Sequence, residues 1–194
     1  MDMPSNAVDR ALGDRIKALR VRQELTLDAL ARKSGVSRAM ISKIERGEVS
    51  ATAVLLHRLC GGLGIQLSAL FADERGPKSV LSRATRQPVW RDPATGYVRR
   101  DVAPPSTAST VEIVDVVFPP GARVAFKRPW SGRGDQHVWV LGGTLELTVG
   151  DTVHVLEAGD CLYMRLDNPL VYRNGGTKPV HYAVVLNHPE KIAS

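Results

Sequence analysis

The chain has 194 residues, 43% of them hydrophobic, and a formal net charge of +6. This length suits one large domain or two small ones, and the apolar content is ordinary for a globular protein with a core. No apolar run approaches the ~18 residues that would cross a bilayer, and the polar start MDMPSNAVDR is not typical of a signal peptide. We therefore expect a cytoplasmic protein without a membrane partner, in which Cys60 and Cys161 are reduced thiols.

The positive charge is concentrated in the first part of the chain. Residues 1–72 hold 11 Lys and Arg against 7 Asp and Glu, and residues 73–88 hold 4 against 2. The two signs balance in residues 89–194, with 11 of each. This distribution indicates that a polyanion partner would meet the N-terminal part.

From residue 8 to residue 71 the apolar side chains recur at the spacing of α-helices. Helix-capping residues and helix-ending glycines divide this segment at Thr26, Gly35, Ser37, Gly47 and Ser50. A last short helix is expected near Ser68 to Phe71. The pattern predicts five short helices in a compact all-α domain.

The stretch LTLDALARKSGVSRAMISKIERGEVS, residues 25–50, predicts two helices joined by a tight turn at Gly35. Val36, Ile41 and Ile44 face inward, which leaves small and polar residues outside at Ser37, Arg38, Ala39, Ser42 and Lys43. Such a helix can enter the major groove of DNA, where Arg can make a bidentate contact to guanine. Ser and Lys can hold phosphates or base edges. The alternative is that Arg38 and Lys43 only solubilise a helical bundle.

Residues 10–71 resemble the lambda repressor/Cro-like (XRE-family) helix-turn-helix domains, and LTLDALARKSGVSRAMISKIERGEVSATAVLLHRL carries the resemblance. It implies that the helix from Ser37 to Glu45 is a recognition helix and that Thr26 touches a phosphate at the start of the preceding helix. The implied contacts with double-stranded DNA are Thr26, Ser37, Arg38, Ala39, Ser42 and Lys43. Proteins of this kind bind inverted-repeat operators as dimers.

The polar segment over residues 73–88, with Gly76 and Pro77, predicts a linker between domains 1–72 and 89–194. After it, short β-rich runs alternate with turn signals, which predicts an all-β sandwich or barrel. The runs are VEIVDVVF, HVWVL, TLELTV, TVHVL, CLYMRL and HYAVVL.

Residues 121–174 resemble the two motifs of the cupin barrel, a double-stranded β-helix or jelly roll. Gly121 and Gly143 fit the ends of the first motif, and Gly159, Pro169 and Asn174 fit the second. The metal-ligand positions hold other residues. The Glu position falls on Gln136, the two first-motif His positions on Trp130 and Gly132 or on Pro129 and Ser131, and the second-motif His position on Leu170.

A metal site needs three or more converging donors, and these positions supply a single amide oxygen. His137 is one residue out of phase with Gln136, so on a strand the two side chains point to opposite faces. We therefore expect no metal, no cofactor and no enzymatic activity. Trp130, Gln136 and Tyr172 are expected to face the interior and to bind an uncharged or zwitterionic metabolite.

Together the two resemblances predict an α + β two-domain protein, with a five-helix Cro-like domain followed by a cupin barrel. They imply a cytoplasmic, homodimeric transcriptional regulator whose barrel senses a small-molecule effector. One alternative is a metal-dependent cupin enzyme fused to a DNA-binding domain, with the metal recruited by Gln136 and His137. Another is a repressor whose barrel serves only for dimerisation or protein binding.

Overall fold

The computed structural model describes residues 5–71, 79–104, 109–127 and 134–187. The chain divides into two compact units, Met1–Phe71 and Ala72–Ser194. The described helices include none that is both long and apolar enough to cross a membrane.

The first unit contains four α-helices and one short 3-10 helix among its described residues. They are α1 Ser5–Arg22, α2 Leu27–Ser34, α3 Arg38–Glu45, α4 Ala53–Leu63 and the 3-10 helix Leu67–Leu70. The segment predicted as a fifth α-helix is therefore a single 3-10 turn. Four residues are too few to close several α-helical hydrogen bonds, so the tighter i to i+3 pattern prevails.

Side-chain caps set the starts of three helices. Thr26 accepts a hydrogen bond from the backbone N–H of Ala29 at 3.1 Å, and Ser37 accepts one from Met40 at 3.2 Å. The fourth helix does not begin at Ser50, as the sequence predicted, because Thr52 caps it. The Ser50 hydroxyl instead binds the carboxylate of Asp9 on α1.

Small residues let the helices of this unit approach closely. A Cβ atom added at Gly13 on α1 would lie 2.2 Å from the carbonyl oxygen of Ile44 on α3, and one at Gly62 on α4 would lie 2.8 Å from the Cβ of Ser34. The space between the helices is filled by buried apolar side chains. These include Leu12, Ile16, Leu30, Ile41, Leu56 and Leu59.

The second unit is built from ten described strands. They are β1 Val89–Arg91, β2 Val98–Asp101, β3 Val111–Phe118, β4 Arg123–Phe126, β5 Asp135–Gly142, β6 Leu145–Val149, β7 Thr152–Leu156, β8 Cys161–Arg165, β9 Leu170–Arg173 and β10 Val180–Asn187. A six-stranded sheet has the order β1-β2-β3-β10-β5-β8, and a four-stranded sheet has the order β4-β9-β6-β7. Every described pairing is antiparallel.

Alternate side chains along these strands form one apolar core. Val138, Val140, Leu145 and Leu147 have no exposed surface, and Phe118 is 1% exposed. The six-stranded and four-stranded sheets therefore turn their buried faces towards a common interior. This interior is where the sequence placed a ligand site.

Candidate DNA-binding surface and barrel interior

Helix α3 is fixed to the helical unit by its inner face and by one buried ion pair. Ile41 and Ile44 are 0% and 1% exposed. The guanidinium of Arg20 on α1 donates to both carboxylate oxygens of Glu45, at 2.7 and 2.8 Å, and a third donor reaches the carbonyl of Leu25 at 2.8 Å. This bidentate geometry holds the last turn of α3 in one orientation.

The opposite face of α3 is open to solvent. Ser37, Arg38, Ala39 and Lys43 are exposed, and Ser42 is half-buried. The Arg38 guanidinium is 3.7 Å from the carboxylate of Asp28, with 67% and 61% of the two side chains exposed. An exposed pair at this distance contributes little to stability, so Arg38 can exchange Asp28 for a nucleic-acid acceptor at small cost.

The hydroxyls of Thr26 and Ser37 cap helices and still have a hydrogen available to donate. Thr26 and Ser37 each use the side-chain oxygen to accept a backbone N–H at a helix start. Both hydroxyl hydrogens can still be donated, because a hydroxyl is one donor and a double acceptor. Each residue can therefore cap its helix and donate to a phosphate oxygen at the same time.

Arg46 extends this surface and was missed by the sequence prediction. It is the C-cap of α3 and donates to the hydroxyl of Ser42. Its other nitrogens donate to Glu48 at 2.5 and 2.9 Å. The i, i+4 spacing of Ser42 and Arg46 was the available signal, since residues four apart are neighbours on a helix.

In the barrel, Gln136 and Tyr172 come together as a buried hydrogen-bonded pair. The Gln136 Nε2 donates to the Tyr172 hydroxyl at 2.8 Å and lies 3.2 Å from the Met164 sulfur. The two residues are 4% and 7% exposed. Trp130, the third predicted ligand contact, lies outside the described residues.

Two family models match the chain, one on each unit. Residues 16–70 match a helix-turn-helix model, and residues 114–186 match a cupin-domain model. The chain therefore combines an XRE-type helix-turn-helix domain with a cupin domain, as transcriptional regulators of this kind do. This confirms the predicted two-domain class of protein and its order of domains.

Curated relatives have the same kind of domain, and one solved structure shares the fold. The chain is 29% identical over 180 residues to the HTH-type transcriptional regulator SutR of Escherichia coli (strain K12), covering 93% of this chain and 96% of that one. It is 40% identical over 63 residues to the immunity repressor protein of Bacillus phage phi105, covering 32% and 44%. An HTH_3 family transcriptional regulator from Vibrio cholerae superposes with a TM-score of 0.81 at 23% identity, covering 96% of this chain and all of that one.

The metal-ligand positions of the cupin motif are occupied differently in this regulator. The Gln136 amide is engaged by Tyr172, and Leu170 is buried at 7% exposure. His137 points to the other face of β5, where its ring lies 5.2 Å from that of Tyr163. Within the described ranges, no three His, Cys, Asp or Glu residues group as metal ligands would.

Neutral phenols and aromatic rings line the interior of the regulator's barrel. The Tyr172 ring stacks on Tyr182 at a centroid distance of 5.9 Å, and Phe118 contacts both Tyr182 and Tyr97 edge-on or tilted. Burial raises the pKa of Tyr172 to about 12, although the hydrogen bond from Gln136 lowers that pKa by a smaller amount. Burial also raises the pKa of Tyr97 and of Tyr182. These phenols therefore stay protonated at neutral pH.

A buried cation next to these rings was also missed. Arg99 on β2 is 8% exposed, and its Nη2 donates to Asp101 at 2.6 Å. The segment GYVRRD offered a signal, because the alternation of a strand turns Arg99 inward if Arg100 turns outward. Two adjacent arginines look alike in the sequence, so only the register of β2 on β3 distinguishes them.

Proposed function

We propose that this regulator binds an inverted-repeat operator in double-stranded DNA as a homodimer, in the cytoplasm. The observation that carries the proposal is the exposed face of α3, from Ser37 to Lys43, presented on a helix whose other face is buried. The contacts we assign to it are Thr26, Ser37, Arg38, Ala39, Ser42 and Lys43.

Each of these residues has a role that its position supports. Arg38 lies in the first turn of α3, where a recognition helix meets base edges, and its fork of donors matches guanine. Thr26 and Ser37 donate to phosphates from two helix starts. Ala39 admits close approach of the helix to the groove floor, and Ser42 and Lys43 contact base edges or the backbone.

For the barrel we propose a sensory role without metal, cofactor or catalysis. Gln136 and Tyr172 offer an amide and a hydroxyl on an aromatic wall, and Trp130 would add to that wall. This set suits an uncharged or zwitterionic metabolite. An effector that binds the two arrangements of a dimer with different affinity would shift operator affinity by the same factor.

The packing of the interior favours a second candidate, in which the barrel serves only for dimerisation or protein binding. Tyr97, Phe118, Tyr182, Tyr172 and Phe126 form a continuous series of ring contacts. Such a series can fill a small barrel by itself. A metabolite that raises the melting temperature of the full chain and changes its operator affinity would favour the sensor over this candidate.

The experiment for DNA binding is sequencing of genomic fragments retained by the purified protein at physiological salt, followed by affinity measurement on one retained site and on random DNA. We expect a few sharp peaks that share an inverted repeat. Arg38→Ala should weaken binding to that site by roughly 5- to 150-fold, the equivalent of 1–3 kcal/mol for one bidentate base contact, and weaken random DNA much less.

Arg22→Ala is the matched control, because it removes the same charge from the exposed end of α1. It should change both affinities little. An equal loss on specific and random DNA after Arg38→Ala would make Arg38 a phosphate contact. Diffuse retention that disappears with modest added salt would contradict specific operator binding.

A further inference from the structure

The outer face of the six-stranded sheet is unusually apolar. Five of its large hydrophobic side chains lie together on β3, β5 and β8, on one side of Asp115, and are between 39% and 57% exposed: Val111, Ile113, Trp139, Leu141 and Tyr163. Soluble proteins leave single apolar residues on the surface without consequence, but a contiguous group of this kind marks an interaction site. We call this group the apolar face.

Strand register makes the apolar face contiguous. Val185 on β10 lies opposite Ile113 on β3 and opposite His137 on β5, and His137 lies opposite Tyr163 on β8. In the adjacent outer row, Ala183 lies between Asp115 and Trp139. The face therefore runs across four neighbouring strands without a charged residue at its centre.

The outer face of the four-stranded sheet has a different character. Arg173 lies between Arg123 and Glu146 in the register, and its guanidinium is 3.0 Å from the Glu146 carboxylate. Charged side chains of both signs thus cross this second face. Val153 and Val155, 57% and 64% exposed, lie on the same outer face, which is therefore mixed in character and has a smaller exposed apolar group than the six-stranded sheet.

Charges of both signs border the apolar face. On the β2 side, Asp115 accepts from Arg100 at 2.6 Å and contacts His181 at 2.5 Å. At the opposite border, Asp135 on β5 lies opposite Arg165 on β8. A surface that carries both signs at its border can meet a two-fold-related copy of itself with opposite charges in register.

The size of the face suits such a partner. Five side chains with these exposed fractions amount to on the order of 400 Å², if a whole aromatic side chain counts for roughly 150–250 Å² and an aliphatic one for somewhat less. A stable interface buries about 800 Å² on each partner, with an apolar centre and a polar rim. The apolar face would supply that centre, and the bordering charges would supply part of the rim.

We propose that the apolar face is the homodimer interface of this regulator, packed against the same face of a second copy. The inference rests on the dimer of the proposed function and adds the surface that forms it. Trp139 and Ile113 lie on strands separated only by β10 and would be the main anchors of the interface. Large aromatic residues near the centre of an interface carry a disproportionate share of its affinity.

The test is sedimentation equilibrium of the full chain and of three variants. Trp139→Ser and Ile113→Asp should each weaken dimerisation by at least about 30-fold, the equivalent of the 2 kcal/mol that defines a strong interface residue. Val153→Asp is the control, since Val153 is 57% exposed on the outer face of the four-stranded sheet. It should leave the dimer intact. Unchanged circular dichroism spectra would show that each variant is folded.

A dimer that survives both Trp139→Ser and Ile113→Asp would overturn the proposal, as would a wild-type chain that is monomeric. Equal weakening by Val153→Asp would also overturn it, because the effect would then not be specific to this face. The proposed DNA function is tested separately, by measuring the affinity for a single operator half-site. It would fail if that affinity were no higher than the affinity for random DNA. Monomeric Trp139→Ser should keep that affinity while losing tight binding to the full inverted repeat.

Discussion

Gly13 shows how a single residue sets the position of α3. An alanine there would favour α1 by about 1 kcal/mol through helix propensity alone. Its Cβ, however, would lie 2.2 Å from the Ile44 carbonyl oxygen and 3.2 Å from the backbone of Glu45. Backbone atoms of α3 would have to move, so the clash outweighs the propensity. We expect Gly13→Ala to destabilise the full chain by roughly 1–3 kcal/mol, as overpacking does, measured by chemical denaturation followed at a helix-sensitive wavelength.

Gly61→Ala is the matched control for Gly13→Ala, because Gly61 is an exposed glycine inside α4. It should be neutral or slightly stabilising, since only the propensity term applies. Equal stability of the Gly13→Ala variant and the wild type would mean that α1 and α3 separate at no cost.

At the scale of residues, the sequence predicted what local chemistry decides. Thr26 and Ser37 were expected as helix caps, and the hydrogen bonds confirm both. The prediction that the fourth helix begins at Ser50 was wrong, because Thr52 has an equally suitable hydroxyl and caps the helix instead. The Ser50 hydroxyl contacts Asp9, which is far away in sequence. The requirement for glycine at position 13 could not be predicted from the sequence either, because it depends on the distance between α1 and α3.

At the scale of elements, length and regularity limited the prediction. All six β-rich runs identified in the sequence contain strands, but four further strands did not stand out: Val89–Arg91, Val98–Asp101, Arg123–Phe126 and Leu170–Arg173. They have three or four residues each, too few for period-two alternation to emerge, and all four contain arginine. The 3-10 helix that was predicted as a fifth helix is equally short, with four residues.

The aromatic series across β3, β9 and β10 makes a prediction at this scale. Burial raises the pKa of Tyr172 from the ordinary 10.0 to about 12, and raises those of Tyr97 and Tyr182 as well. A raised folded-state pKa stabilises the fold below the unfolded value, and the contribution is lost as pH rises through the folded value. The barrel should therefore keep this contribution below about pH 10 and unfold as pH rises towards about 12.

The measurement for the aromatic series is phenolate absorbance during an alkaline titration, with tryptophan fluorescence as the signal for unfolding. All four tyrosines and all three tryptophans lie after residue 88, so both signals report on the barrel. We expect the three buried tyrosines, Tyr97, Tyr172 and Tyr182, to ionise only together with the change in fluorescence. Ionisation of three or four tyrosines in the folded protein would contradict a buried aromatic interior.

At the scale of the whole molecule, the two units differ in net charge and in exposed apolar surface. The excess positive charge lies in residues 1–88, and the exposed Arg38 and Lys43 of α3 lie there with it. The barrel unit is balanced in charge and carries the apolar face. Order and type of domain followed from sequence because each unit has one dominant hydrophobic period. The apolar face did not, because it appears only when strands distant in sequence are placed side by side.

This division predicts how the helical unit behaves alone. Residues 1–71 have a core of their own, so a fragment of that length should fold and bind a single half-site as tightly as the full chain does. On the full inverted repeat it should bind about 100- to 10,000-fold more weakly, because the second half-site is no longer tethered to the first. Titration of both proteins on half-site and full-site DNA, at one salt concentration, measures this ratio. The fragment's circular dichroism spectrum is the control for folding. A folded fragment that binds the full operator as tightly as the full chain would place dimerisation in the helical unit, and the apolar face of the barrel would then need another partner.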